Sequence, residues 1–234
     1  PGERHYFLRD VIDACANVAG IDRLRLSSIE LTDLGKPVRD AFREVPKLCP
    51  HIHLPLQSGD NEVLARMNRR YTREMYRDVV LDLKRVIPDF EFSVDVMAGF
   101  PGETQADHED GLRWIERMRF DRLGCFTYSH EEDTHAFTME DDVPFEVKQE
   151  RATEMMEVQG GISFELNQAK VGKVYRVLVD KAEGGFYHAR TEHDSPEVDN
   201  DVLIATSAGH LRIGDFGQVR ITEAREHELT AVPV

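Results

Sequence analysis

Strand-like and helix-like segments alternate one for one over roughly the first 130 residues, and this alternation limits the fold more than any other feature of the chain. A strand that returns to its own sheet through a single helix pairs in parallel, with a right-handed crossover. The strands read as Ile21–Glu30, Pro50–Gly59, Phe90–Phe100 and Asp121–Ser129. The helical patterns are His5–Ala19, a polar piece from Pro37 to Glu44, Asn61–Asn68, Thr72–Ile87 with Thr72 as N-cap, and Thr104–Met118. Four strands do not close an eight-stranded barrel. The expected first unit is therefore α/β, a partial (β/α) barrel of the TIM type whose earlier strands precede Pro1.

A charged loop, His130–Val143, leads to Pro144 at the start of a long helix reaching about Lys170. Phe145, Val147, Met155, Val158, Ile162 and Leu166 give that helix apolar matter to dock, and Gly160–Gly161 weakens its middle. From Val171 the hydrophobic period falls to two, in short segments such as "KVYRVLVD", "DVLIATS" and "FGQVRITEAR" set between Gly, Asp, Asn and Pro turns. About five such strands form a small antiparallel β-barrel of oligonucleotide-binding (OB) size. The expected division is residues 1–143 for the partial barrel, 144–170 for a connecting helix and 171–234 for the small barrel.

The net charge of −15 argues against a chain whose main task is gripping phosphate backbones, and favours a basic partner. From Lys173 onward there are 7 Lys and Arg against 11 Asp and Glu, a net of −4. Cysteines at 15, 49 and 125 give neither a disulfide framework nor a CxxC zinc pattern, and fit a reducing, cytoplasmic setting. No apolar run of about 18 residues is present to span a bilayer, so no membrane partner is expected.

In parallel α/β architectures chemistry collects at the carboxyl ends of strands. Four such ends are polar or glycine-rich: Ser27–Glu30, Pro55–Gly59, Gly99–Glu103 and Thr127–Ser129. Bare backbone at Gly99, beside the amides of a helix start, would let a planar or anionic ligand approach closely. The simpler reading of the same residues is a turn with Glu103 and Thr104 capping the helix. His51, His53 and Asp95 are polar positions inside strands, and must face solvent, a partner or a barrel mouth. "MNRRYTREMYRD" (Met67–Asp78) is a basic cluster in an acidic chain, either a solvated helix start or a grip on a carboxylate or phosphate.

"HIHLPLQSGDNEVLARMNRRYT", "DVMAGFPGET" about forty residues on, and the trailing barrel together resemble the methylthiotransferases of the radical S-adenosylmethionine (radical SAM) superfamily, in which a TRAM domain follows the radical domain. "MRFDRLGCFTYSHEEDTHA", "DDVPFEVKQER" and "RTEHDSPEVDNDVLI" are similar to the branch that methylthiolates an aspartate on the twelfth protein of the small ribosomal subunit. "RLSSIE" and "HLPLQSG" look more like the tRNA-modifying branches. An acidic TRAM domain suits a cationic ribosomal protein better than tRNA.

The resemblance implies S-adenosylmethionine as cofactor, with Gly99 and Phe100 near its methionyl or adenine portion, Glu30 at the ribose or amino group, Gln57 and Ser58 completing the wall, and Asp95 pointing into the barrel. It leaves the catalytic side chains unassigned: the cofactors carry the radical chemistry and these residues position them. The family also holds two 4Fe-4S clusters, one on a CxxxCxxC motif and one on three cysteines of a preceding domain. Neither motif is present in this sequence, so no metal ligand is assigned and the chain by itself is expected to be inactive. Three other readings remain open: a tRNA adenosine methylthiotransferase, a cluster-free module docking on ribosome or RNA, and an ordinary α/β barrel enzyme with His53 or Asp95 as base.

Overall fold

The computed structural model describes residues 7–196 and 199–234. His5, at the start of the first predicted helix, and Glu197 and Val198, within the Arg190–Ile204 stretch, lie outside the described residues.

Strands β1 (Leu24–Leu26), β2 (Leu48–His53), β3 (Glu91–Ala98) and β4 (Arg122–Thr127) form one parallel sheet in the order β1-β2-β3-β4. β1 is far shorter than the ten-residue segment expected from the sequence, because the chain leaves the sheet at Ser27 and enters a 3-10 turn at Leu31–Asp33. Helices α1 (Leu8–Ala16), α2 (Lys36–Glu44), α3 (Asn61–Arg66), α4 (Arg73–Val86) and α5 (Gln105–Met118) link the strands. Their starts follow local chemistry. Asp60 accepts from the Glu62 and Val63 amides, Thr72 from the Met75 amide, and Thr104 from the Asp107 amide while Asp107 returns the bond.

The two-residue pleat divides the sheet into two unlike faces. Ile52, Leu54, Leu56, Phe92, Val94 and Val96 form the main core with Tyr76 of α4 and Trp114 and Ile115 of α5. Burial of each large side chain contributes about 1.5–3 kcal/mol. The other face carries His51, His53, Ser93, Asp95, Arg122 and Gly124, with Ser93 beside Arg122 and Asp95 beside Gly124 in the register.

Helix α6 (Phe145–Gln168) crosses from the sheet to the C-terminal barrel as a single helix despite Gly160–Gly161. Its docking face differs from the apolar one expected. Phe145 is exposed, and the buried positions are Lys148, Arg151, Met155, Gln159, Ile162, Ser163 and Asn167. Polar residues serve there because each meets a fixed partner. Gln159 donates to the Phe120 carbonyl at 2.9 Å, and Asn167 to the Arg225 and Glu226 carbonyls at 2.9 and 3.0 Å.

β5 (Val174–Glu183), β6 (Phe186–Arg190), β7 (Asp201–Ala205), β8 (Phe216–Ala224) and β9 (Glu228–Pro233) close a barrel in the order β5-β6-β7-β9-β8. Its core is Val177, Val179, Val202, Ile204, Val219, Ile221 and Leu229. The pairings are antiparallel except β7–β9, which is parallel. A ring with an odd number of strands cannot alternate direction all the way round, so one parallel pair is required.

The two units meet through a buried polar network at the amino ends of the sheet strands. Arg122 bonds Glu91 at 2.7 Å and Asp194 of the β6–β7 loop, and its Nε lies 3.3 Å from Asp199. Lys170 holds the other Glu91 oxygen at 2.8 Å. Burial works against the Glu91 charge, but Arg122 and Lys170 outweigh it and hold the carboxyl well below the usual carboxylate range. Arg25 reaches the Glu192 carbonyl and the Ser195 hydroxyl, and donates to His51 Nδ1 at 2.7 Å.

His51, with Nε2 2.8 Å from Ser93 Oγ, is fully enclosed, and burial together with the charges of Arg25 and Arg122 pushes its imidazole down to about 2. The unfolded chain takes up a proton at this residue below pH 6.5 and the folded one does not. Stability is therefore expected to fall with pH below that value, by up to about 1.4 kcal/mol per unit from this group. Urea midpoints measured between pH 7.5 and 5.5 should show that slope, and His51→Gln should flatten it; an equal slope in the variant would place the acid sensitivity elsewhere.

Candidate functional site

Because the sheet is parallel throughout, all four strand ends open on one rim. Three adjacent ends are joined on the polar face by a chain of hydrogen bonds. Ser28 Oγ lies 2.6 Å from His53 Nδ1, and His53 Nε2 lies 2.9 Å from Asp95 Oδ2. Asp95 accepts a hydrogen bond from His53 Nε2, and Nδ1 faces the Ser28 hydroxyl. Gly124 on β4 leaves room for the second Asp95 oxygen, since a Cβ there would stand 3.2 Å from it. His53 and Asp95 line a cavity of about 640 Å³ bounded by Ser27, Phe126, Ser195 and His227. Both are only partly covered, their side chains being 27% and 35% exposed.

The end of β2 is held from behind by two tyrosines of the α4 region. Tyr76 donates its hydroxyl to the Leu54 carbonyl at 2.6 Å, and Tyr71 to the Leu56 carbonyl at 3.1 Å. Gln57 then takes a left-handed backbone, φ 73°, while bridging to β3: its N–H meets the Asp95 carbonyl at 2.8 Å and its carbonyl the Met97 amide at 2.8 Å. That backbone costs a residue with a side chain about 1–2 kcal/mol. The side-chain amide of half-buried Gln57 has no hydrogen-bond partner among the described residues.

Ser58 faces inward, its hydroxyl accepting from the Asp60 amide at 3.1 Å, so it builds the turn. Gly59 is fixed by packing: a Cβ would stand 2.7 Å from the Gly111 carbonyl oxygen of α5. Gly59→Ala is expected to lower stability by about 1–3 kcal/mol, because backbone must move to admit the methyl group. Urea unfolding measures this directly, and an unchanged midpoint would contradict it.

Glu30 is exposed at the rim and pairs with Arg69 at 3.0 Å. Arg69 belongs to the basic cluster read in the sequence. Its neighbours Arg66 and Arg73 are spent on structure, Arg66 on the Gly102 carbonyl and Asp107, Arg73 on Asp110, Glu74 and the Gly59 carbonyl.

The Gly99–Glu103 turn is built differently from the expectation of bare, ligand-facing amides. The Gly99 N–H donates to Glu103 Oε2 at 3.2 Å and the Gly102 N–H to Asp142 Oδ1 at 2.7 Å. The space a Gly99 side chain would fill holds the stem of Lys148. Phe100 is buried in a small cluster with Val63 and Tyr128, meeting the Tyr128 ring edge-on at 5.4 Å. Thr104, rather than Glu103, caps α5. Glu103 is buried against Arg151 at 2.9 Å. Desolvation raises its carboxyl above the ordinary value, although Arg151 and the Gly99 amide oppose the rise. A ligand at this rim therefore meets the outer surface of the turn, where the Gly99 and Gly102 amides are already used.

Gln57 and Gly99 follow the ends of β2 and β3, Glu30 follows β1, and Asp95 lies inside β3 with its carbonyl on the Gln57 N–H; Ser58 and Phe100 are buried beside Gln57 and Gly99. Sequence reading missed Lys148 and Arg151 as supports of this turn: they lie about fifty residues away, inside the "DDVPFEVKQER" stretch, which was read only for its resemblance. Cys15, Cys49 and Cys125 lie on α1, β2 and β4, and no group of residues able to hold a metal occurs among the described residues. The described residues therefore do not fit an iron-sulfur cluster.

The sheet and the closed barrel define a radical SAM domain carrying a TRAM domain: the radical SAM superfamily model matches residues 4–115 and the TRAM domain model residues 171–234. The fold is shared with coproporphyrinogen III oxidase (HemN) from Escherichia coli, at a TM-score of 0.50 and 17% identity over 72% of this chain and 46% of that one. The chain belongs to the radical SAM methylthiotransferase family. It is 41% identical over 97% of its length to the ribosomal protein uS12 methylthiotransferase RimO of Christiangramia forsetii, and 42% identical over 95% and 97% to the RimO proteins of Cytophaga hutchinsonii and Flavobacterium johnsoniae. The chain spans about half the length of these relatives, 50%, 51% and 52% respectively.

Proposed function

We propose that this chain is the part of a cytoplasmic ribosomal protein methylthiotransferase that borders S-adenosylmethionine and presents the substrate, with residues 1–143, 144–170 and 171–234 as its three sections. The observation that carries the reading is identity above 40% with uS12 methylthiotransferases along nearly the whole chain, TRAM domain included. When bound, S-adenosylmethionine and two 4Fe-4S clusters supply the radical chemistry that inserts the methylthio group on an aspartate of the substrate protein. The cluster ligands are not among the described residues of this chain.

What these residues contribute is placement. Gln57 offers a free amide, Asp95 a free carboxylate oxygen steadied by His53, and Glu30 with Arg69 a matched pair of charges at the rim. Ser58 and Phe100 hold the two turns that carry Gln57 and Gly99. The net of −4 in the TRAM segment suits a cationic protein substrate and opposes tRNA. Deleting the gene and weighing both candidate substrates tests this. The small-subunit protein should lose about 46 mass units, one methylthio group in place of hydrogen, while tRNA is unchanged; the opposite pattern would transfer the assignment to tRNA.

A further inference from the structure

Lys148 and Arg151 stand one helical turn apart at the start of α6, both buried, directly behind the Gly99–Glu103 turn. Glycine visits positive and negative φ with similar ease, so the +74° at Gly99 has to be set by what surrounds it. Lys148 supplies one constraint: its Cγ lies 2.2 Å, and its Cβ 2.9 Å, from where a Gly99 Cβ would be. Its ammonium is anchored on Asp141 at 2.5 and 2.8 Å, and lies 4.8 Å from the centre of the Tyr128 ring. Tyr128 in turn donates its N–H to the Ala98 carbonyl at 2.9 Å, one residue before the glycine.

Arg151 supplies the other constraint. Its Nη1 bonds both the carbonyl of Glu103, at 3.0 Å, and Oε1, at 2.9 Å, which leaves Oε2 to hold the Gly99 N–H at 3.2 Å. The pair is nearly dry, with side chains 7% and 5% exposed, so water cannot easily replace either partner.

We propose that Lys148 and Arg151 are positioning residues for the cofactor: they fix the Gly99–Glu103 turn from behind, Lys148 by filling the space of the absent side chain and Arg151 by holding Glu103 on the Gly99 amide. The proposal rests on the reading that this turn borders S-adenosylmethionine. It assigns Lys148 a role for its stem rather than its charge, and Arg151 a role for its donors.

Hydrogen exchange read by mass spectrometry on the whole chain, with calorimetric titration of S-adenosylmethionine, tests both parts. Arg151→Met should speed exchange of the amides at 99–102 about tenfold or more while residues 92–96 keep wild-type protection, and should weaken S-adenosylmethionine binding by a similar factor. Arg151→Lys should recover part of both losses. Lys148→Met, which keeps the stem, should stay near wild type, whereas Lys148→Ala should loosen the turn. The proposal is overturned if folded Arg151→Met and Lys148→Ala show wild-type exchange at 99–102, or if Lys148→Met is as damaging as Lys148→Ala. Should Arg151→Met fail to fold, the two Lys148 variants decide. Should the wild type bind no S-adenosylmethionine, the cofactor reading fails by itself and exchange still reports whether α6 sets the turn.

Discussion

Arg122→Met is expected to lower stability by about 3–5 kcal/mol, the usual cost of stranding buried charges by removing one partner. Three carboxylates converge on this guanidinium: Glu91 from the sheet, and Asp194 and Asp199 from the β6–β7 loop. Asp194 is 0% exposed and the Asp199 side chain 4%, so neither can turn to water when the arginine is lost. Lys170 stays on Glu91 and limits the damage there. The pH dependence identifies the cause. In the wild type the depressed Glu91 contributes stability that is present above its unfolded value of 4.5 and is lost progressively as pH falls below that toward the depressed folded value. In the variant Glu91 keeps only Lys170, so its carboxyl accepts a proton more readily and the gap between the two proteins should narrow from pH 7 to pH 4. Urea titrations at both pH values measure it. A gap that is constant with pH would mean that lost packing, and not lost charge, is the cause.

Gly99→Ala is expected to lower stability by about 2–4 kcal/mol and to abolish measurable S-adenosylmethionine binding. Two costs add. Alanine at φ +74° is strained by about 1–2 kcal/mol, and its methyl group meets the base of the Lys148 side chain, which cannot swing aside as a free tip would. Gly102 provides the control. It too has positive φ, at 76°, but its nearest obstacle is the end of Arg66 at 3.0 Å. Gly102→Ala should therefore cost less, and equal losses at both positions would show that Lys148 packing contributes nothing.

The sequence carries most of the fold where one physical rule dominates. The polar-apolar alternation of β3 follows from the pleat, and Thr72, Thr104 and Asp60 cap helices as their side chains dictate. The change of period near Val171 marks the second barrel, which begins at Val174. Less is legible where residues are satisfied at long range. The docking face of α6 is polar because its partners are carbonyls and carboxylates tens of residues away, and no periodicity reports that. Strand ends were legible from the sequence: Glu30, Gln57 and Gly99 follow β1, β2 and β3 of one sheet, while Asp95 lies inside β3. The reason for Gly99 was not visible: glycine there suits ligand approach and helix packing equally well in sequence, and only the position of Lys148 separates the two.

On the outermost strand β4, Phe126 leaves 60% of its surface in water, and the Asp95 side chain is 35% and the Glu30 side chain 49% exposed. Solvent therefore reaches the ionised groups of the rim, and attraction there acts through a medium of high dielectric constant. Two unit charges about 4 Å apart are worth about 1 kcal/mol under such conditions, against about 4 kcal/mol where the effective dielectric is near 20. Mobile ions weaken the contact further, with a screening distance of about 8 Å at physiological ionic strength. Any charged molecule held by this rim alone will consequently bind loosely and let go as salt is added, and its grip will tighten in proportion to how completely water is shut out of the concave side.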